Sequence, residues 1–524
     1  LPPCEVDRLA EVAELIISAL SSASCREKLA LALKKEGYIP KLLELFRVCE
    51  KLELSQDLQH LSAIMHGILW LDQAAVLEVM LSQECIMDVV GCLEYSPSLA
   101  QPKWHRQLLQ RTTKLKELPP IRDPELQQKL HQMHWAQFIQ AVILPKVSGV
   151  GGPSLPSLTS FISCKKEEIF RVLEKDQKFW SEVLVQLTDE ATGAHQQWEL
   201  VNFLKDFCTF SLTFQQNREA FLQSLVKLGL LPALEILLGM DDLQVASAAT
   251  DILSYLVDFF PFPVQEFVLQ EAQQRDYGTD LIRMLMKHML CHPLAAFGGA
   301  DQVLELLQTL LDPGNLLATA EVSRILVFFN SFYTRCLPVL TAPLLANPDK
   351  GHLFFFLFCS LKALLFLVDD HQTAQLLALI LELLSFCVTR HKEHMRAYIL
   401  HWDLLRTVLL LINSKHTFLA LGALHFLRKI IAQKDEVYTH YIIQGNLLAP
   451  LVHTLLESGA MSSLLHWAVL ELFEFLRLED CQSLVTHVIE TFYPALESIT
   501  YMQTFQGLKR KYERAKHRQK QSVH

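Results

Sequence analysis

The sequence predicts an all-α fold, an armadillo/HEAT-like α-solenoid of stacked helical repeats, and three observations carry that reading. Leu, Ile and Val recur at three- and four-residue spacing through most of the chain, the pattern of amphipathic helices. Glycine is scarce, 18 in 524 residues, and few runs alternate apolar with polar as strands would. A phrase that opens a helix after a turn also returns along the chain. It stands as Gly37-Tyr38-Ile39-Pro40-Lys41-Leu42, Gly229-Leu230-Leu231-Pro232-Ala233-Leu234, Trp402-Asp403-Leu404-Leu405 and Gly445-Asn446-Leu447-Leu448. The last two are separated by an interval inside the roughly 40 to 47 residues of HEAT and armadillo units.

The repeat is clearest between Gly229 and Val257. Leu230, Leu231, Leu234, Leu237 and Leu238 form the stripe of a short helix, with Pro232 in the first turn where its missing N–H costs nothing. Gly239 ends that helix, and Asp241 and Asp242 supply an N-cap for the next. Small residues at Ala246, Ala248 and Ala249 let the second helix pack close before Ile252, Leu253 and Leu256 fill the core. Such a pair cannot bury its apolar face alone, so neighbours of the same kind are required.

In order, Glu5 to Asp72 reads as four helices, and Glu84 to Tyr95 as a helix ended by Ser96-Pro97. Gln101 to Pro124, basic and rich in proline, reads as a long surface connector. These helices make a first region, 1–145. Gly149, Gly151, Gly152, Pro153 and Pro156 mark a flexible break over 146–160, and the main repeats occupy 161–508. Pro293, Pro313, Pro338, Pro343 and Pro348 make its middle irregular, and a basic tail closes the chain over 509–524. Leu353 to Val368 is a strongly apolar run interrupted by Lys362, too short for a membrane span, so no membrane contact is expected.

A formal net charge of −10 argues against general nucleic-acid binding, which needs a basic surface. Cysteines such as Cys85, Cys92 and Cys208 lie in apolar helical patterns without a C-x-x-C pair, as thiols of a reducing compartment do. The first residue is Leu1, without a secretory signal, and the chain reads as a piece of a longer protein.

No catalytic constellation stands out, and no cofactor or metal is expected. His131 with His134, and His391 with His394, have the spacing of helical metal ligands, but no third ligand completes either set. Two features point instead to partners. An aromatic residue precedes a leucine near the end of several helices, at Trp70, Tyr255, Phe426 and Phe475, a register that in a solenoid lines either a partner groove or the next repeat. The tail presents Lys509, Arg510, Lys511, Arg514, Lys516 and Arg518, a candidate nuclear-import signal or contact for an acidic partner.

Six phrases, in order, resemble the SMEK/falafel family, the regulatory subunit 3 of protein phosphatase 4. They are ECIMDVVGCLEY at Glu84 to Tyr95, QLTDEAT at Gln186 to Thr192, the Gly229 to Ile252 repeat, TAQLLALILELLSFCV at Thr373 to Val388, NSKHTFLALGALHFLRKII at Asn413 to Ile431, and YMQTFQGLKRKYE at Tyr501 to Glu513. Val147 to Pro156 and Leu353 to Val368 depart from the family's pattern. The resemblance implies a non-enzymatic scaffold that joins the phosphatase 4 catalytic subunit to regulatory subunit 2 and brings phosphoprotein substrates to them, in nucleus and cytoplasm. It also implies an N-terminal EVH1-like domain and an acidic tail in the full-length form, neither expected within this stretch. The alternative from the residues is a peptide-binding armadillo adaptor in transport or signalling, although the asparagine ladder of that class is missing.

Overall fold

The structure, a computed structural model, describes residues 1–95, 104–115, 121, 123–144, 155–189, 191–211, 218–273, 280–291, 299–317, 320–345, 371–457, 464–479, 481–497, 499 and 503–521. The regular elements among them are helices, in two units, Leu1–Leu230 and Leu231–His524. The first unit runs through α1 (Leu9–Ala19), α2 (Ala23–Lys35), α3 (Tyr38–Lys51), α4 (Ser55–Trp70), α5 (Ala74–Met80), α6 (Ile86–Leu93), α7 (His105–Leu115), α8 (Pro124–Phe138), α9 (Pro156–Leu173), α10 (Gln177–Thr188), α11 (Ala194–Ser211) and α12 (Arg218–Lys227). Helix α13 (Leu230–Leu238) begins at the division. The second unit follows with α14 (Leu243–Phe259), α15 (Pro261–Gln273), α16 (Leu281–Cys291), α17 (Gly299–Leu311), α18 (Pro313–Leu317), α19 (Val322–Ser331), α20 (Leu337–Leu345), α21 (His371–Arg390), α22 (Lys392–Trp402), α23 (Leu404–Leu409), α24 (Thr417–Ala432), α25 (Glu436–Gln444), α26 (Ala449–Glu457), α27 (Leu464–Leu478), α28 (Gln482–Leu496) and α29 (Thr504–Gln521).

The recurring phrase has a backbone cause. Gly37, Gly229, Asp403 and Asn446 all adopt positive φ, from 48° to 102°, and each stands just before or at the start of the helix that the phrase opens. After Asn446 the Leu447 N–H reaches back to the Ile442 carbonyl at 3.0 Å, the six-to-one bond of a Schellman ending. Gly tolerates the left-handed region freely; Asp and Asn adopt it more readily than most residues. Asp242 caps α14, accepting from the N–H groups of Gln244 (2.9 Å) and Val245 (3.3 Å). Asp123, Asp176 and Asp435 cap α8, α10 and α25 in the same way.

In the second unit α14, α17, α21, α24, α27 and α29 pack each on the next, forming the inner row of the stack. The last four begin at 371, 417, 464 and 504, spacings that fall in the roughly 40-to-47-residue range of the repeat. These helices bury a wide face: in α24, Leu419, Ala420, Ala423, Phe426, Leu427 and Ile430 are all fully enclosed. The first unit has its own row, in which α1 lies on α4, α4 on α6, and α8 on α9. Gly67 makes the α1–α4 approach possible, because a Cβ there would stand 2.5 Å from Ile16 Cγ2.

Three expectations need correction. The stretch read as a surface connector contains a helix, α7, whose Leu109 and His105 are buried. Its basic composition concealed this, because Arg106 points inward. The guanidinium donates to Glu94 (Nε, 2.9 Å) and to Glu50 (Nη1, 3.1 Å), over the Phe46 ring at 5.9 Å. Burial alone would raise the Glu50 carboxyl; the Arg106 guanidinium holds it below the ordinary carboxylate range. Second, Pro338 and Pro343 do not break the middle: Pro338 lies in the first turn of α20 and Pro343 inside it. A π-turn at Phe332–Cys336 carries α19 into α20, so the proline-bearing helix continues one already formed. Third, residues 156–160 of the expected break already belong to α9, and the unit division falls at Leu230, within the range read as one repeat region. The core of the break, Val147 to Pro153, lies outside the described residues, as do Pro293, Pro348 and Leu353 to Val368.

Among the described residues two segments, Val322–Leu345 and His371–Arg390, are long and apolar enough by composition to cross a membrane. Packing accounts for their apolarity: α19 lies on α15, and α21 fills the inner row between α17 and α24.

His391 joins the layers of the second unit. Its Nε2 lies 2.7 Å from the Leu311 carbonyl and its Nδ1 3.1 Å from the Tyr333 hydroxyl. A carbonyl can only accept, so Nε2 carries the proton and Nδ1 receives the Tyr333 O–H. Burial lowers the His391 pKa to about 4.

Two predictions follow from these contacts. Arg106→Ala, which leaves the enclosed Glu94 with only the backbone N–H of residue 106, should lower the stability of the first unit by about 2–3 kcal/mol in urea unfolding, and Glu50→Gln in the same chain should cost less than the sum of the single changes. For His391 the unfolded chain binds the proton more readily than the folded one, so stability is full above about pH 6.5 and falls as pH drops toward 4, by on the order of 3 kcal/mol. His391→Gln should flatten that slope in unfolding scans across this range, whatever it costs at neutral pH.

Candidate partner-binding surface

The four aromatic residues do not share one surface. Trp70 belongs to the first unit, where it is half-buried at the end of α4 against the N-terminal core. Tyr255, Phe426 and Phe475 belong to the second unit. Phe426 is fully buried, which corrects its placement in a groove: α24 sits inside the row, and both residues of its Phe-Leu pair turn into core. Tyr255 is 9% exposed, its ring 5.2 Å from Phe259. Phe475 keeps an open edge beneath the Arg428 guanidinium, 4.9 Å from the ring centre. Adjacent residues on a helix point about 100° apart. In all four pairs the leucine, Leu71, Leu256, Leu427 or Leu476, is fully buried; Phe426 is buried with it, and the other three aromatic residues show only as much surface as their helices leave open. Trp70 and Phe475 are the two that retain contact area.

The basic residues also divide. The Lys511 ammonium donates to the carbonyls of Leu476 (3.4 Å), Arg477 (3.0 Å) and Glu479, closing the C-terminal end of α27. Lys511 is thus a structural cap, which corrects its reading as a partner contact. Lys509 lies over the Tyr493 ring at 4.4 Å, and Lys516 donates to the Tyr512 hydroxyl at 3.1 Å. Arg510, Arg514 and Arg518 face solvent.

A feature missed in the sequence is a cavity of about 130 Å³ within the first unit, where α8, α9 and α11 meet. Phe203, Phe207 and Phe210 give it aromatic walls, and Glu199, Asn202 and Lys166 bring polar groups to it. His131 and His134 line the same space. His131 stacks on Trp135 at 5.6 Å and His134 is 7% exposed, so the pair serves packing and lining. The near-helical recurrence of Phe203, Phe207 and Phe210 was the available signal, but only the approach of three helices makes a space of it. His391, the other candidate ligand, uses both ring nitrogens within the protein. Among the described residues no three metal-ligating side chains gather.

The geometry is that of a helical framework offering surfaces. The phosphatase 4 regulatory subunit 3 family matches residues 11–514. Protein PPP4R3C1 of Mus musculus is 40% identical over 520 residues, covering 99% of this chain and 63% of the mouse protein. Serine/threonine-protein phosphatase 4 regulatory subunit 3 of Drosophila melanogaster is 40% identical over 524 residues, covering 99% of this chain and 51% of the fly protein. The chain therefore spans between half and two thirds of the length of these relatives. A crystal structure of a Kap121p mutant aligns with a TM-score of 0.36 and 12% identity, over 94% of this chain and 56% of that one. With a family match over nearly its whole length, and a fly relative at 40% identity named as a regulatory subunit, this chain belongs to the phosphatase 4 regulatory subunit 3 family.

Proposed function

We propose that this chain is the helical scaffold of a phosphatase 4 assembly, joining the catalytic subunit to regulatory subunit 2 and directing the pair to phosphoprotein substrates. The observation that carries the reading is the 40% identity, sustained over 99% of the chain, to a fly protein named as a phosphatase 4 regulatory subunit. A scaffold of this kind holds substrate beside a borrowed active site and raises its effective concentration there, so it changes substrate choice more than intrinsic rate. Trp70 and Phe475, each with a leucine neighbour locked in core, are rigid aromatic contacts whose ordering costs little on binding. Nucleus and cytoplasm are the compartments this reading assigns; buried, unpaired thiols such as Cys92, Cys208 and Cys387 suit a reducing environment. The second reading, a linear-peptide adaptor, draws on the aromatic cavity between α8, α9 and α11.

The deciding experiment is co-elution, with mass from light scattering, of this chain with the phosphatase 4 catalytic subunit and regulatory subunit 2. A ternary peak is expected. Trp70→Ala or Phe475→Ala should weaken it by roughly tenfold, about 1–2 kcal/mol, with helicity retained. Phe426→Ala should act differently, lowering stability by about 3–5 kcal/mol through the cavity it leaves. A chain that elutes alone at every concentration sinks the scaffold reading, and binding of a panel of linear peptides in its place would favour the adaptor.

A further inference from the structure

The arginines of this acidic chain are mostly paired. Arg47 meets Asp88, Arg324 meets Glu266, Arg396 meets Asp435, Arg428 meets Glu471 and Arg477 meets Glu474. Helix α29 breaks this habit. Arg510, Arg514 and Arg518 recur at i, i+4 and i+8, are exposed, and have no carboxylate partner among the described residues. Like charges at this spacing repel along a helix face, and α29 contains a single acid, Glu513, to relieve them.

The stripe is held in a fixed orientation. Phe505 packs on Phe473 with ring centres 5.5 Å apart, the Tyr512 hydroxyl donates to Glu490 at 2.8 Å, and the Thr504 hydroxyl donates to Glu474 at 2.9 Å. Lys511 is fastened to the end of α27, and a Cβ on Gly507 would stand 2.6 Å from Arg477 Cδ, so the helix cannot turn about its axis without loss. The three guanidinium groups therefore project at intervals of about 6 Å along α29. Carboxylates on alternate residues of an extended segment recur at nearly the same interval, about 6.6 Å, and each can accept two parallel N–H bonds from a guanidinium.

We propose that the exposed face of α29 is a docking stripe for an acidic peptide segment of a partner protein, read by Arg510, Arg514 and Arg518. Charge complementarity selects the occupant. The flanking charges are already engaged, Lys509 with Glu497 and Lys516 with the Tyr512 hydroxyl, which leaves the three arginines as the row open to a single narrow segment. The inference stands apart from the phosphatase reading, since its test needs neither phosphatase subunit.

The test is fluorescence anisotropy of a labelled peptide of alternating Glu and Ser titrated with the whole chain, at low and at near-physiological salt. Binding that weakens with salt is expected. R510E/R514E/R518E should lower affinity by more than ~10-fold, and the charge-keeping R510K/R514K/R518K by ~3-fold, because lysine lacks the two-pronged guanidinium. Circular dichroism checks that each variant keeps its helices, and R510Q/R514Q/R518Q replaces the reversal if that one fails to fold. Affinity of the reversal or Gln variant within about twofold of the parent would overturn the proposal. So would a DNA duplex of equal charge that displaces the peptide more readily than unlabelled peptide does.

Discussion

Helix α24 must have a broad apolar face covered before it is stable, and the second unit is arranged to provide that cover. Leu419, Ala423, Phe426, Leu427 and Ile430 share one broad face of the helix, and all are shut from solvent by α21, α27 and the short helices beside them. A helix with so wide an apolar surface has no stable existence in water alone. Its neighbours in the row carry the same requirement, so each repeat is completed only by the next. The row therefore grows in one dimension, beyond the size at which a single rounded core stops being practical. This enclosure leaves partner chemistry to the outer faces and to gaps where three helices fail to close, as between α8, α9 and α11.

Polar groups are arranged by the same repetition. Arg396 reaches Asp435, Arg428 reaches Glu471, Tyr441 reaches Asp403 and Lys434 reaches Glu479, each tying one repeat to the following one. Exposed pairs of this kind contribute little each, because water and salt screen them, but they fix the register in which repeats meet. Arg106 is a stronger case, because the Glu94 it satisfies is nearly enclosed and water cannot replace the lost partner. Against this background the stripe on α29 stands out as three arginines at i, i+4 and i+8 without a carboxylate partner among the described residues.

Much of the fold was legible because local chemistry and global packing ask for the same residues. The opening phrase marked real helix starts, since a turn residue at positive φ followed by leucines serves both backbone and core. The cap at Asp242 was legible for the same reason. Helix α7 was not, because basic composition is read as exposure, and only the position of Glu50 on α3 and of Glu94 at the C-terminal end of α6 shows that Arg106 turns inward. The register of Trp70, Tyr255, Phe426 and Phe475 was visible as a pattern, yet the pattern cannot say how many neighbours each helix has. That number separates buried Phe426 from half-open Phe475.

By itself the sequence determined the helical class, the repeat interval and the family. All three rest on residues near one another along the chain, or on phrases kept in order, and need no knowledge of which helix meets which. Tertiary structure decided what each exposed-looking residue does. Lys511 and Arg510 are adjacent and alike in charge, but one closes the carbonyl end of α27 and the other faces water, because α29 is clamped with one side against its neighbours. Helical periodicity sets the angle between two side chains, and only packing sets the direction in which the pair points.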